Sequence, residues 1–341
     1  MHRRFEHQPD KGGFMGSAKS LLPLPFAQPA AAKQTPDDSP APSNITSSSK
    51  DPYKAAKEAL DRDGFVVLSA SLFPSFDLDA LRAAASRLTT AARAGKWPYI
   101  RTLPKQFPPW PQDPSDGIWG VQHLLHPSNP DHVIFAKSYF DSELLKYVAA
   151  LIGCGEDDLT MELYNMLVRP DKEFSLRWHR DDIAATATAE QELERLQKPG
   201  HHAQWNLALY DDNSLVLVPG SHKRARTDVE RNADPYEANM PDQITVKLKA
   251  GEVAFYNNNI LHRGVYDCSK ERMTLHGSIG TPLAGSQRAR NVLQHGVGEW
   301  AKEYDFEGFE PQMAERAKKM RERLVEMGEK SGDVGFFSKD E

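Results

Sequence analysis

The sequence predicts an α+β domain: helices first, then short strands that close into a β-sandwich or barrel. Three observations carry this reading. The first ordered part shows helical periodicity. From about Leu159 onward the apolar segments become short and are separated by Gly, Pro and Asn turns. No internal repeat interrupts either half. A chain of 341 residues has room for one large domain or two ordinary ones, and no second boundary is visible after residue 51.

Residues 1–50 read as a disordered leader. Their second part holds six prolines among Ala and Ser and ends in Thr46-Ser47-Ser48-Ser49-Lys50, a composition that cannot bury enough apolar surface to offset its ordering entropy. Met1-His2-Arg3-Arg4 is basic. Glu6, Asp10, Asp37 and Asp38 dilute it, and no apolar signal-peptide core follows. The expected location is therefore cytoplasmic, with organelle import through the leader as the alternative. Residues 51–341 form the expected single domain.

Ala55–Asp61 predicts a short helix and Gly64–Leu68 a strand. Asp77–Ala94 predicts an amphipathic helix with Leu78, Leu81, Ala85 and Leu88 on one side. Residues 95–130 are irregular, with Trp97, Tyr99, Phe107, Trp110 and Trp119 among prolines, and Phe140–Leu151 returns to a helical pattern. The strands follow at Leu159–Arg169, Trp205–Asp211, Leu215–Val218, Ile244–Leu248, Glu252–Tyr256 and Met273–Ile279. Two insertions separate them, a helical one at Ala184–Lys198 and a long loop at His222–Asp242. A charged helix is expected at about Pro311–Met327.

Composition excludes several functions. Lys and Arg number 42 against 48 Asp and Glu, a net charge of −6, so a general nucleic-acid binder is not expected. Two cysteines rule out a disulfide scaffold and a thiolate zinc module. No apolar run is long enough to span a bilayer. The expected partner is a small-molecule substrate.

The chemistry lies in two stretches. In Trp178-His179-Arg180-Asp181-Asp182, an extended backbone puts His179 and Asp181 on one side. One imidazole and one carboxylate make two-thirds of a facial triad, and a distant His would complete it. Such a triad leaves adjacent positions of an octahedral iron open. Downstream, Gly251-Glu252 enters an apolar strand, Asn257-Asn258-Asn259 turns it, and His262 follows. Ten residues past His262 stands Arg272, which shares a strand face with Thr274. A guanidinium fork beside a hydroxyl suits a carboxylate. His179-Arg180-Asp181 also spells the protein-kinase tripeptide, but Thr186 stands where that motif needs Asn and its other elements are missing.

His179-x-Asp181, His262 and Arg272 together resemble the Fe(II)/2-oxoglutarate oxygenase pattern. Asn213-Ser214-Leu215-Val216-Leu217-Val218-Pro219-Gly220-Ser221-His222 is similar to the Asn-Gly-x-Leu…Pro-Gly-Ser-His segment of the phytanoyl-CoA dioxygenase family. Asp63-Gly64-Phe65-Val66-Val67-Leu68 resembles that family's first strand. The resemblance covers about residues 55–285, with gaps at the two insertions. It implies a double-stranded β-helix (a jelly-roll, cupin-like core) with flanking N- and C-terminal helices.

It further implies His179, Asp181 and His262 as iron ligands, with Fe(II), 2-oxoglutarate and O2 taking part. Arg272, with Thr274, would hold the distal carboxylate of 2-oxoglutarate. Asn165 stands near where relatives often place a Gln beside the cosubstrate. Ser214 replaces the family's Gly and is expected to alter only a turn. The implied reaction hydroxylates or desaturates an unactivated C–H of a small to medium-sized metabolite and releases succinate and CO2. A carboxylate at position 181 argues against halogenation, because related halogenases have a small residue there. Two alternatives stay open: a non-catalytic jelly-roll protein that binds metal and 2-oxoglutarate, and a cupin-like metal enzyme without 2-oxoglutarate, against which Arg272 and Thr274 speak.

Four further histidines and a basic run receive bland readings. His222 and His276 are expected to be structural, and His201 and His202 to sit in an exposed loop or flap. Lys223-Arg224-Ala225-Arg226 is expected to be a solvated loop or, alternatively, a contact for an anionic substrate.

Overall fold

A computed structural model describes residues 44–330, apart from positions 47 and 295 and the side chain at position 287. The leader therefore lies outside the described residues up to position 43. At its inner end β1 (Asn44–Ile45) runs parallel to β2 (Phe65–Leu68), so ordered backbone begins before Asp51. Between them lies α1 (Pro52–Asp63). Asp51 starts this helix by accepting the Lys54 N–H, and Gly64 ends it at a φ of 83°, a left-handed conformation that only glycine adopts without cost. In α2 (Leu78–Arg93), Asp77 is the cap, and Leu81, Ala84, Ala85, Leu88 and Ala92 form the buried stripe.

The irregular segment 95–130 contains two short strands, β3 (Ile100–Thr102) and β4 (Ile118–Val121). The helix expected at 140–151 is preceded by a separate one. α3 (His132–Tyr139) stops at Phe140, and Asp141 caps α4 (Ser142–Ile152) by accepting the Glu143 and Leu144 N–H groups. β5 (Thr160–Val168) and β6 (Phe174–Ser175) follow. The first insertion carries α5 (Ala189–Leu196), opened by a capping box of Thr188 and Gln191. Then come β7 (His202–Ala208), β8 (Asp212–Leu217), α6 (Asp228–Asn232, inside the second insertion), β9 (Ile244–Leu248), β10 (Val253–Tyr256), β11 (His262–Tyr266) and β12 (Met273–Gly280). Two helices close the chain, α7 (Gly285–Gln294) and α8 (Pro311–Glu329).

The strands form two sheets, one in the order β1-β2-β10-β7-β12-β5-β4-β3 and one in the order β6-β11-β8-β9. All pairs but β1–β2 are antiparallel. The sheets face each other as the double-stranded β-helix that the resemblance implies. Phe65, Val67, Ala254 and Tyr256 of the large sheet meet Leu215, Leu217, Val246 and Leu248 of the small one. The outer face of the large sheet buries Val66, Leu68, Trp205, Leu207, Phe255, Leu275 and Ile279 beneath the helices, in the largest apolar cluster. No helix among the described residues is long and apolar enough to cross a membrane.

Candidate metal centre and cosubstrate pocket

The structure brings His179, Asp181 and His262 together. One ligand atom from each lies within 4.8 Å of the others. His179 and His262 face each other across an isolated antiparallel bridge, with His179 N–H donating to His262 O at 3.0 Å and the reverse bond at 3.1 Å. This pairing fixes which side chains point inward. Asp181, two residues along, is held by its own N–H on Asn258 O at 2.8 Å. The Asn-rich turn thus anchors the carboxylate, while β11 and its partner strand place the two imidazoles.

The hydrogen bonds decide which atoms face the centre. Nδ1 of His179 lies 2.8 Å from Arg177 O, and Nδ1 of His262 lies 2.9 Å from Ile260 O. A carbonyl only accepts, so both Nδ1 atoms carry the proton and Nε2 is the acceptor end. Both Nε2 atoms are turned toward Asp181 Oδ1, at 3.6 Å and 3.9 Å. Gln204 Nε2 donates to the other oxygen, Oδ2, at 3.0 Å. Two nitrogen lone pairs and a carboxylate oxygen converging on one point repel one another unless a cation sits between them. The donor set of two nitrogens and one oxygen suits a divalent first-row metal.

Arg272 and Thr274 share the inward face of β12, as expected. Arg272 Nε donates to the buried Asp212 Oδ1 at 2.9 Å, and its guanidinium carbon lies 4.5 Å from the Tyr266 ring centroid. Arg272 Nη1 and Thr274 Oγ1 are both buried without a hydrogen-bond partner. Such atoms cost about 1–3 kcal/mol each when left unpaired, so two of them on one face mark a receptor for an acceptor that the chain does not supply. A carboxylate meets that description.

Ser214 has a larger part than altering a turn. It lies inside β8, and its hydroxyl donates to Asp212 Oδ2 at 2.9 Å, fixing the carboxylate that orients Arg272. Asn165 lies on β5 opposite His276 of β12, and its Nδ2 is buried without a hydrogen-bond partner. It shares the strand face of Leu163 and Leu167, but its Oδ1 accepts the His123 N–H at 3.0 Å and it does not line the cavity.

That cavity has a volume of about 810 Å³ and opens from the His–Asp–His cluster. Its walls come from several segments of the chain. Gln106, Phe107, Pro108, Trp110 and Trp119 come from the irregular segment, and Arg195, Leu196 and Lys198 from the first insertion. Trp97 is buried in the main core instead. The second insertion contributes only His222. In its basic run Lys223 is exposed, as a solvated loop would have it, while Arg224 pairs with Glu230 and Arg226 with the fully buried Glu192, and none of the four lines this cavity. Ala284, Arg288 and Asn291, at and on α7, complete the wall. Their segment gives no motif, so only tertiary packing reveals it.

The remaining histidines divide. His222 lies at the end of α1, with Nε2 3.2 Å from Asp61 O. His201 and His202 line the cavity, and burial lowers the pKa of His202. His276 also faces the cavity, 3.0 Å from Asn206 Oδ1. Burial and the Arg101 charge lower its pKa to about 4, so it is neutral. Three residues carried no sequence signal. Gln204 holds Asp181. Gln106 accepts the Arg177 N–H at 2.9 Å and puts Nε2 3.3 Å from His179 Nδ1. Arg180, set aside with the kinase tripeptide, is buried and ties Ser221 O, Asn259 O and Arg224 O together behind the cluster.

A model of the phytanoyl-CoA dioxygenase (PhyH) family matches residues 60–270, a span that contains His179, Asp181 and His262 and ends just before Arg272. No curated protein matches the chain. Among solved structures, AviO1 from Streptomyces viridochromogenes Tue57 is 21% identical, covering 67% of this chain and 95% of its own, with a TM-score of 0.48. EctD from S. alaskensis, solved with 2-oxoglutarate and 5-hydroxyectoine, is 19% identical over 66% of this chain and 74% of its own, with a TM-score of 0.47. The epimerase SnoN, solved with Fe3+, alpha ketoglutarate and nogalamycin RO, is 16% identical over 67% and 83%, with a TM-score of 0.45. The chain belongs to the phytanoyl-CoA dioxygenase (PhyH) family and is a non-haem iron- and 2-oxoglutarate-dependent oxygenase.

Proposed function

We propose that His179, Asp181 and His262 hold Fe(II), that Arg272 and Thr274 receive the distal carboxylate of 2-oxoglutarate, and that the enzyme hydroxylates or desaturates an unactivated C–H of a small to medium-sized metabolite. The observation that carries this reading is the pairing of two incomplete sets in one cavity. Two imidazole nitrogens and a carboxylate oxygen converge within 4.8 Å of one another, and two buried donors nearby have no hydrogen-bond partner. Bound iron with 2-oxoglutarate and O2 supplies oxidative decarboxylation to succinate and CO2, together with the oxidant for the C–H bond.

The chain's own residues bind and orient. The two Nδ1–H···O=C bonds lock the imidazole rings with Nε2 inward. Gln204 fixes the rotation of the Asp181 carboxylate. Asp212, itself held by Ser214, engages Arg272 Nε, so that Nη1 and the Thr274 hydroxyl are left for the cosubstrate. Phe107, with its ring edge-on to His179 at 5.7 Å, helps keep bulk water from the reacting face. Asp181 occupies the position that a halide would need, which favours hydroxylation or desaturation. Asn165 we assign to supporting the backbone at His123.

The test is succinate release from 2-oxoglutarate on addition of Fe(II), in the wild type and in Asp181→Ala and His179→Ala. Normal turnover in either variant would overturn the ligand assignment. A wild-type protein that binds 2-oxoglutarate with Mn(II) but yields no succinate with Fe(II) would overturn the reaction.

A further inference from the structure

The cations that line the cavity differ in one respect, whether the chain supplies their partner. Arg272 has Asp212, Arg288 has Glu162 at 2.6 Å, Arg195 has Asp182 at 2.6 Å and Lys198 has Glu194 at 3.1 Å. Arg263 donates to Tyr236 O. Arg101 has none: among the described residues no hydrogen bond or ion pair engages its guanidinium, and its Nε is buried without a partner.

The chain nevertheless holds this side chain in place. Arg101 lies on β3, opposite Gly120 of β4, in a cross-strand row that continues through Leu167 to Thr274. A Cβ at Gly120 would lie 2.8 Å from Arg101 Cδ, so only glycine lets the arginine cross that strand. The guanidinium carbon is 5.1 Å from the ring centroids of both Trp110 and Trp119. Both indole N–H groups donate to one carbonyl, Lys105 O, at 2.9 Å and 3.1 Å. Two tethered aromatic rings thus fix the guanidinium, and its unsatisfied polar edge is available to the cavity. Cation–π contact lowers the cost of holding this charge, but it provides no hydrogen-bond acceptor.

We propose that Arg101, in its Trp110–Trp119 clamp, is a second anion subsite of the cavity and takes a carboxylate of the organic substrate. Phe107 and Pro108 beside it line the same cavity and receive the substrate's apolar body. The proposal rests on the iron and 2-oxoglutarate reading above and names the class of substrate it acts on. Arg272 and Thr274 already offer two unpaired donors to the cosubstrate, so its distal carboxylate does not require Arg101. A single unpaired fork matches one planar monoanion better than a phosphate dianion, which calls for more than one cation. The same chemistry could recognise 2-oxoglutarate itself, and the experiment separates the two.

Isothermal titration of the Mn(II)- and 2-oxoglutarate-loaded protein would compare phenylacetate, 4-phenylbutyrate and hexanoate, each against its primary amide. The wild type should bind at least one acid about tenfold or more tighter than its amide. Arg101→Gln should abolish that preference, Arg101→Lys should keep part of it, and neither should move the 2-oxoglutarate affinity by more than about twofold. The proposal is overturned if no acid is preferred over its amide in the wild type, or if the preference survives Arg101→Gln. It is equally overturned if 2-oxoglutarate affinity falls about tenfold in Arg101→Gln, which would place Arg101 in the cosubstrate site. Binding of 2-oxoglutarate to the wild type reports on the underlying reading, whereas the acid-over-amide preference reports on Arg101 alone, so the two fail separately.

Discussion

The two faces of β12 are made by one strand and have opposite tasks. Outward, Met273, Leu275 and Ile279 are buried among core side chains, and Gly277 leaves space that the Trp205 indole fills. Inward, Arg272, Thr274, His276 and Ser278 face the cavity side, where two of the chain's unpartnered buried donors lie. The outer face is complete without a ligand. The inner face is not, and that deficit identifies the site. Strand alternation lets both exist eight residues long, side by side. The comparison predicts that changes on the inner face remove function and spare the fold, and that changes on the outer face do the reverse.

The largest effect is expected at the metal cluster. Asp181→Ala should lower succinate formation on the order of a thousandfold or more, while the melting temperature stays put or rises, because the crowding of acceptor atoms at the cluster is relieved. A large loss of thermal stability would break the comparison. On the outer face, Leu275→Ala should cost about 2–5 kcal/mol in urea denaturation, with kcat/KM per folded molecule unchanged. Arg272→Gln comes next and sharpens the comparison by acting on both sides. The KM for 2-oxoglutarate should rise about tenfold to a hundredfold, and stability should fall because Asp212 is left as a buried, unpaired carboxylate. Adding Asp212→Asn should restore stability without restoring cosubstrate affinity. The smallest effect belongs to Gln204→Ala, which frees Asp181 Oδ2. It should weaken metal activation by about tenfold, measured as the Fe(II) concentration for half-maximal succinate release.

Much of this was legible in the chain. Apolar periodicity predicts the positions of α1, α2 and α8, and strand patterning predicts β5, β7 and β12 to within a few residues. It misses β11 because His262, Arg263 and Gly264 break the apolar pattern where the strand enters the site. It misses the division between α3 and α4 because the Asp141 cap sits inside a continuous apolar run. The segment 95–130 shows its aromatic content but not its two strands, since β3 and β4 are only three and four residues long and are stabilised by pairing rather than by propensity.

By itself the sequence determined the candidate ligands, the candidate carboxylate receptor and the family, because those depend on residue types at fixed spacings along single strands. Tertiary structure alone decided which groups complete them. Gln204 on Asp181, Asp212 and Ser214 behind Arg272, the α7 wall, and the Trp110–Trp119 clamp on Arg101 all join residues distant in the chain. No local pattern encodes those contacts. They arise from tertiary packing: the facing of two sheets brings Gln204 to Asp181 and Asp212 to Arg272, the β3–β4 pair brings Trp119 to Arg101, and α7 packs over the cavity.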